Sequence, residues 1–387
     1  MKNFNYYFLL LFTIASCTIL RRPAEDKLPI MDLSSRKYKK KQFETPMRMC
    51  FIPGKSRIVG PTDEQFDDSK VLTNRKITLT PFFMFETPMT IGDYKKYLSE
   101  FDDYLIRLYN EVQDPLQSAK KIDNTKNNNS NITKDNDKNI VISTVEFYEI
   151  LKGKFEYKSK INQKSFMAAC KKKIKPDQNV FTKGLKYQFE DKVNYYDKAI
   201  FDEYPVIFVN YHQAEWYLKY LTFVTNEYRK KNKMLPYPEF ELPSVAQWEH
   251  AAADPEKTTP QRFSWGKNPK GEQEKKFANF KYFKGEYQSH LQHVNRSSAY
   301  RNNNGLYDMQ GNVNEWTKDS YSSALNATIS GLDPVYIDKN NPNKVIKGGS
   351  WRDPYSFLEI SYNGCVHENT QSSTISFRPI MRYYGDY

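Results

Sequence analysis

The sequence predicts a mixed domain of short strands and a few helices, low in regular secondary structure. Three observations predict it. Helical periodicity is confined to a few stretches before residue 255. Strand-like runs are short and interrupted by Pro and Gly. Beyond residue 255, glycines stand beside aromatics in two dense motifs, Gly305-Leu-Tyr-Asp-Met-Gln-Gly-Asn-Val-Asn-Glu-Trp316 and Lys344-Val-Ile-Lys-Gly-Gly-Ser-Trp-Arg-Asp353. Glycine permits positive φ and close backbone approach. Tryptophan brings a large apolar surface and one N–H donor. Such motifs describe a tightly turned core, and with only 15 Gly in 387 residues the clustered ones carry backbone tasks.

The elements follow in chain order. Lys2 and the short apolar run Tyr6 to Ala15 read as a signal peptide over 1–16, too short for a stable membrane span. It ends in Ile14-Ala15-Ser16-Cys17, which resembles a bacterial lipobox with Cys17 as the lipidated first mature residue. Residues 17–46 read as a basic tether, with Arg36-Lys37-Tyr38-Lys39-Lys40-Lys41 at its centre. Met47 to Gly60 reads as strand, Pro-Gly turn, strand, and Lys76 to Phe85 as another strand. Thr90 caps a helix whose stripe is Ile91, Tyr94, Leu98, Phe101, Leu105 and Leu108. Residues 110–200 form a weakly patterned insertion with some helix near Val145 to Leu151. Within it, 121–139 is polar and predicted disordered. Tyr204 to Val209 reads as a buried strand and Tyr211 to Tyr228 as a helix. Ser244 opens a further helix, with Gln247 completing a capping box.

Lys+Arg exceed Asp+Glu by 12. A solvated lysine-rich surface accounts for this; an anionic membrane or acidic protein partner is the sharper alternative. Nucleic acid is not expected, because no basic motif with interleaved aromatics occurs on one element. Cys50, Cys170 and Cys365 are odd in number, so at least one is unpaired or pairs with another chain.

Asp308, Gly311, Val313 and Glu315 could converge two carboxylates and two carbonyls on one hard cation such as calcium. Turn capping by the acids is the alternative. The five histidines form no His-x-x-x-His pair with a carboxylate, and His290 and His293 read as satisfied surface residues. No Gly-x-Ser-x-Gly or phosphate-cradling glycine loop is present. Trp248, Trp265, Trp316 and Trp351 read as packing anchors. Arg378 reads as the partner of a buried acid or carbonyl.

Taken in order, these motifs resemble the formylglycine-generating, or sulfatase-modifying-factor, family over about residues 47–383. Phe85-Glu-Thr-Pro-Met-Thr90, Tyr204-Pro-Val206, Leu242-Pro-Ser-Val-Ala-Gln-Trp-Glu-His-Ala-Ala252, Phe263-Ser-Trp-Gly266, Ala278-Asn-Phe280, the two glycine motifs and Ser376-Phe-Arg-Pro379 carry the likeness. The resemblance implies an α+β fold of the C-type-lectin-like kind. The lipobox, the insertion before Tyr204 and the string Gly348-Gly-Ser-Trp-Arg-Asp353 further resemble the Bacteroidetes gliding-motility lipoproteins GldK (PorK) and GldJ. That likeness implies a periplasm-facing outer-membrane subunit of type IX secretion machinery. It also implies self-association and a GldN (PorN)-like protein partner.

Active members of the family bind copper(I) through two thiols just after the Gly-Gly-Ser motif. The corresponding positions, two and seven residues after Trp351, are Asp353 and Leu358. Soft thiolates select Cu(I) and carboxylates do not. A non-catalytic protein without copper is therefore expected. A copper oxidase using Cys365, or a calcium-dependent module for envelope glycans, are the alternatives. The resemblance implies calcium at Asp308, Gly311, Val313 and Glu315. It implies a second calcium site at Asn279 and the carbonyl of Phe280, with ligands in the Gly285-to-His293 region. Asn314 departs from the family, which usually has Trp there.

Overall fold

The computed structural model describes residues 35–37, 44–46, 48–62, 74–120, 147, 149–150, 163–177, 195–265, 277–281, 291–294, 301–325 and 331–383. Side chains at 35–37, 44–45, 108–120 and 163–164 are not included. Cys17, most of the expected tether, the 121–139 segment and Gly285 to His290 lie outside the described residues.

The fold is α+β, with four short sheets among the described residues. The stretch read as a tether contains a two-stranded ribbon of β1 (Ser35–Lys37) and β2 (Glu44–Pro46). The strands on either side of the Pro53-Gly54 turn form as expected but join different sheets. β3 (Met49–Ile52) pairs with β6 (Phe82–Phe85), in a sheet completed by β13 (Ile380–Arg382) and β7 (Phe240–Glu241). β4 (Lys55–Val59) pairs with β5 (Arg75–Leu79), which β9 (Gly331–Leu332) extends in parallel. The single strand expected over Lys76 to Phe85 is thus two. Thr80 bonds to the Asp333 carboxylate through its N–H and hydroxyl, at 2.8 Å each, where the chain changes sheet. Pro81 brings no N–H to a ladder there. The fourth sheet, order β11-β10-β8-β12, is made of β8 (Asn314–Ser320), β10 (Asn343–Lys347), β11 (Gly364–His367) and β12 (Ile375–Ser376).

Helix α1 (Ile91–Lys120) runs further than its apolar stripe predicted. Thr90 and Asp93 close its N-terminus reciprocally, through Asp93 N–H to Thr90 Oγ1 at 3.1 Å and Thr90 N–H to Asp93 Oδ2 at 3.2 Å. Arg48 grips the same carboxylate with both terminal nitrogens at 2.9 and 3.0 Å. Helix α2 (Gln163–Ile174) was not foreseen within the weakly patterned insertion. Phe147, Glu149 and Ile150 are helical, as expected there. Helix α3 (Tyr211–Lys231) and helix α4 (Val245–Ala252) both carry full capping boxes, Asn210 with Gln213 and Ser244 with Gln247.

Tyr204 to Val209 is buried from Pro205 onward but is not a strand. Among the described residues, one bridge, Thr90 to Pro205, is its only ladder contact. Phe208 adopts φ 62° and donates its N–H to Ser372 O. Between α1 and α3 lies an aromatic slab in which Tyr94, Tyr97, Phe101, Tyr217 and Tyr220 are all fully buried. Tyr94 stacks on Tyr217 at 5.6 Å, and Tyr97 meets Tyr220 at 4.6 Å. Tyr97 lies on the stripe's flank and was not assigned to it. No helix among the described residues is long and apolar enough to cross a membrane.

Candidate functional site

Three loops cross where the two glycine motifs meet the segment 277–281. Gly311 N–H donates to Gly348 O at 2.8 Å, Asn312 N–H to Asn279 O at 2.7 Å, and Trp351 N–H to Asn312 O at 3.0 Å. Lys281 N–H donates to Asp353 O at 3.0 Å. The backbones lie too close for side chains between them. A Cβ on Gly311 (φ 80°) would sit 2.6 Å from Asn279 O, and one on Gly348 (φ 97°) 2.8 Å from Met309 O. Glycine is required at both places by space and by conformation.

Asp353 stands where the resemblance puts the first thiol. Its Oδ2 accepts from Ser350 N–H at 2.8 Å, Ser350 Oγ at 2.6 Å and Asn314 Nδ2 at 2.9 Å. Asn314 is itself buried, and its Oδ1 accepts from Gly349 N–H at 3.0 Å. Asn314 and Asp353, two of the three positions that depart from the expected pattern, therefore touch each other. Together they close the turn after Gly-Gly. Leu358, at the second thiol position, is fully buried in a cluster with Phe263, Ala278 and Phe280. It packs against Gly349, whose added Cβ would meet Leu358 Cδ1 at 2.7 Å.

Glu315 has a task different from the expected calcium ligand. Its carboxylate takes Arg378 Nη2 at 2.7 Å and Nε at 2.9 and 3.1 Å, and Trp248 Nε1 at 2.8 Å. Both charged side chains are essentially inaccessible. Arg378 continues to Phe85 O and Tyr307 O, so one guanidinium holds Glu315, Phe85 and Tyr307 together. The expectation of a buried acid for Arg378 is met by this contact. A carboxylate so neutralised does not fit the first calcium site, because a divalent ion beside it would face a guanidinium. Gly311 O also accepts from Val313 N–H at 2.8 Å. Asp308 is buried with φ 51°, in the turn leading to that crossing. At the second expected site, Asn279 Nδ2 donates to Asn312 Oδ1 at 3.0 Å, and Phe280 is buried in the Leu358 cluster. Among the described residues, no three His, Cys, Asp or Glu side chains are grouped to hold a metal ion.

Sequence reasoning missed two buried networks beneath the crossing. Lys347 is fully buried, its ammonium on Glu249 Oε1 at 3.0 Å, Ile360 O and Tyr362 O at 2.6 Å, and Asn363 Oδ1 at 2.9 Å. Burial lowers its pKa, against the opposing pull of Glu249. Arg262 pairs with buried Glu359 at 2.8 Å. Lys347 lies within β10 between buried Ile346 and Gly348, a placement that only the structure supplies.

Trp248 and Trp316 are fully buried, whereas Trp265 and Trp351 are half-buried. Trp351 donates Nε1–H to Ser373 O, and the Arg352 guanidinium lies 5.1 Å over its ring. Cys50, Cys170 and Cys365 carry free thiols. Burial, with Glu86 nearby, pushes the Cys50 thiol up to about 11, and burial pushes Cys170 to about 12. Cys365 is exposed on β11, opposite Val345. His293 is exposed, as expected, but His250 is buried.

Comparison with solved structures finds similar folds, among them three at 16% identity each. Treponema denticola variable protein 1 has a TM-score of 0.49, covering 90% of this chain and 99% of its own. PvdO from Pseudomonas aeruginosa has 0.48, with 91% and 98% covered. CarF has 0.45, with 87% and 99% covered. A search of curated proteins gave no match. The profile of the sulfatase-modifying factor enzyme 1-like domain matches residues 34–383, spanning all three crossing loops and the strands beneath them. The glycine crossing and its buried guanidinium–carboxylate tie thus lie within a recognised domain, and the chain belongs to the sulfatase-modifying factor enzyme 1-like domain family.

Proposed function

We propose that this protein is a non-catalytic member of its family. It serves as a lipid-anchored, periplasm-facing structural subunit of an outer-membrane apparatus of the type IX secretion or gliding kind. One observation carries the non-catalytic part. The carboxylate of Asp353, at the first thiol position, is bound by Ser350 and by Asn314, and Leu358 fills the second position as core. Neither group offers a soft ligand to Cu(I). The residues around them are fitted to a turn and to apolar packing. The envelope part rests on the Lys2-to-Cys17 pattern and on the likeness to gliding-motility lipoproteins.

The test has two arms. Cu(I) titration of the full chain, with a cysteine-containing peptide as substrate, should give neither a stoichiometric copper complex nor aldehyde. Stoichiometric copper lost in Cys365→Ser, with turnover, would restore the oxidase reading. Affinity capture from mildly solubilised membranes should recover further protein subunits and more than one copy of this chain. Recovery of the monomer alone would overturn the structural-subunit reading.

A further inference from the structure

We propose that the C-terminal end of α3 and the turn after it form a contact for an anionic phospholipid surface. The helix closes on Arg229, Lys230 and Lys231, and Lys233 follows. The side chains of Lys230, Lys231 and Lys233 are exposed. Among them stand Tyr228, 41% exposed, and Leu235, 71% exposed. No acidic residue occurs between Tyr228 and Pro238.

The turn is held in place from beneath. Asn232 N–H and Nδ2 both donate to Tyr228 O, Lys233 N–H to Lys230 O, and Met234 N–H to Arg229 O. Lys233 takes φ 56°, an uncommon conformation for a residue other than glycine. Buried Arg229 donates Nε–H to Leu235 O and lies 3.7 Å over the Tyr237 ring. Asn226 fixes Tyr237 by bonds to its N–H and its carbonyl, at 2.7 and 3.0 Å. The helix end is therefore closed by backbone and Asn232, and Leu235 projects from a braced turn.

A single exposed leucine is ordinary. A leucine displayed on a braced turn among three lysines matches what an interfacial contact needs. The apolar group enters the acyl boundary, while the lysine stems lie along it and the ammoniums reach the phosphates. Charge complementarity selects anionic over zwitterionic lipid. This inference stands on the turn alone and does not depend on the proposed complex.

The test uses the full chain bound to vesicles, with an environment-sensitive fluorescent amino acid incorporated at position 235. Phosphatidylglycerol vesicles and phosphatidylcholine vesicles are compared, each with brominated acyl chains as quencher. Any attachment through the N-terminal segment is common to both vesicle types. Quenching at position 235 is expected with phosphatidylglycerol and not with phosphatidylcholine. Each of Lys230→Gln, Lys231→Gln and Lys233→Gln should weaken the partition about fivefold. Equal quenching in the two lipids, no quenching in either, or a triple Gln variant that partitions like the parent would overturn the proposal. Failure of the membrane capture experiment above leaves these outcomes unaffected.

Discussion

Replacing Glu315 by Gln removes one charge and changes almost no volume, so it reads the value of the Glu315–Arg378 tie directly. In the parent, the carboxylate takes three contacts from Arg378 between 2.7 and 3.1 Å and one from Trp248 at 2.8 Å. Both side chains are sealed from solvent. Gln can still accept from Trp248, but its amide N–H group then faces a guanidinium. Breaking a buried pair from one side costs about 3–5 kcal/mol. That is a large share of the roughly 5–15 kcal/mol typical of a folded domain. Glu315→Gln should therefore lower the unfolding free energy by about 3–5 kcal/mol in urea titration at pH 7. Glu315→Gln/Arg378→Met should recover at least half of that loss, because the uncompensated charge is gone.

The same experiment separates the ion-pair task from a calcium task. With Arg378 as the partner, the parent has equal stability in chelator and in millimolar calcium, and the variant stays weaker in both. If Glu315 instead held calcium, chelation would bring the parent down to the variant, since an ion bound only to the native state stabilises by mass action. A loss under 1 kcal/mol in Glu315→Gln, or one that chelation abolishes, would refute the assignment.

Three other perturbations follow from the site. Asp353→Ala should cost about 1–3 kcal/mol, because Ser350 N–H, Ser350 Oγ and Asn314 Nδ2 lose their common acceptor; the same urea titration checks it. Leu358→Ala should cost about 2–5 kcal/mol by opening a cavity beside Gly349, with a fall in melting temperature as readout. His250 and Asp319 set opposite pH dependences. Burial, helped by Arg57 and Lys55, depresses His250 to about 4, so its contribution is present above pH 6.5 and lost as pH falls through 4. Burial raises Asp319 to about 6, so its contribution is present below pH 3.8 and lost as pH rises through 6. Between pH 6.5 and 4 the two nearly offset. His250→Gln leaves the Asp319 dependence unopposed, so between pH 6.5 and 4 the variant should gain roughly 3 kcal/mol relative to the parent. Parallel stability-versus-pH curves for parent and variant would contradict this.

What the sequence made legible was local. Ser244 announced its helix because a capping box is written within four residues; the equivalent box of Asn210 and Gln213 emerged only with the structure. The apolar stripe of α1 announced its buried face because periodicity is a short-range signal. The extent of α1 and the existence of α2 were not legible, since the polar insertion offered no sustained stripe. Sheet membership was also hidden. Nothing in Met49 to Val59 says that β3 and β4 part company, because that choice rests on Phe82–Phe85 and Arg75–Leu79 across a break at Pro81. Arg378 could be read as needing an acid; that the acid is Glu315, 63 residues earlier, could not. Nothing in the sequence set Lys347 apart from other lysines; β10 places it between Glu249 and three further oxygens.

The buried pairs show what fixes the crossing. Lys347–Glu249, Arg262–Glu359 and Arg378–Glu315 lie beneath or beside the three loops, each with side chains almost wholly inaccessible. Their hydrogen bonds reach backbone carbonyls at Phe85, Tyr307, Ile360 and Tyr362. The loops are therefore fixed by groups that do not depend on the identity of residues 353 and 358. Such a frame tolerates a change at those two places provided that the turn after Gly349 still finds an acceptor and the space above Gly349 is still filled. Asp353 with Asn314 meets the first need, and Leu358 the second. Residues 314, 353 and 358 are thus fitted to the same turn, two through hydrogen bonds and one through packing on Gly349, which is the physical support for the scaffold role proposed above.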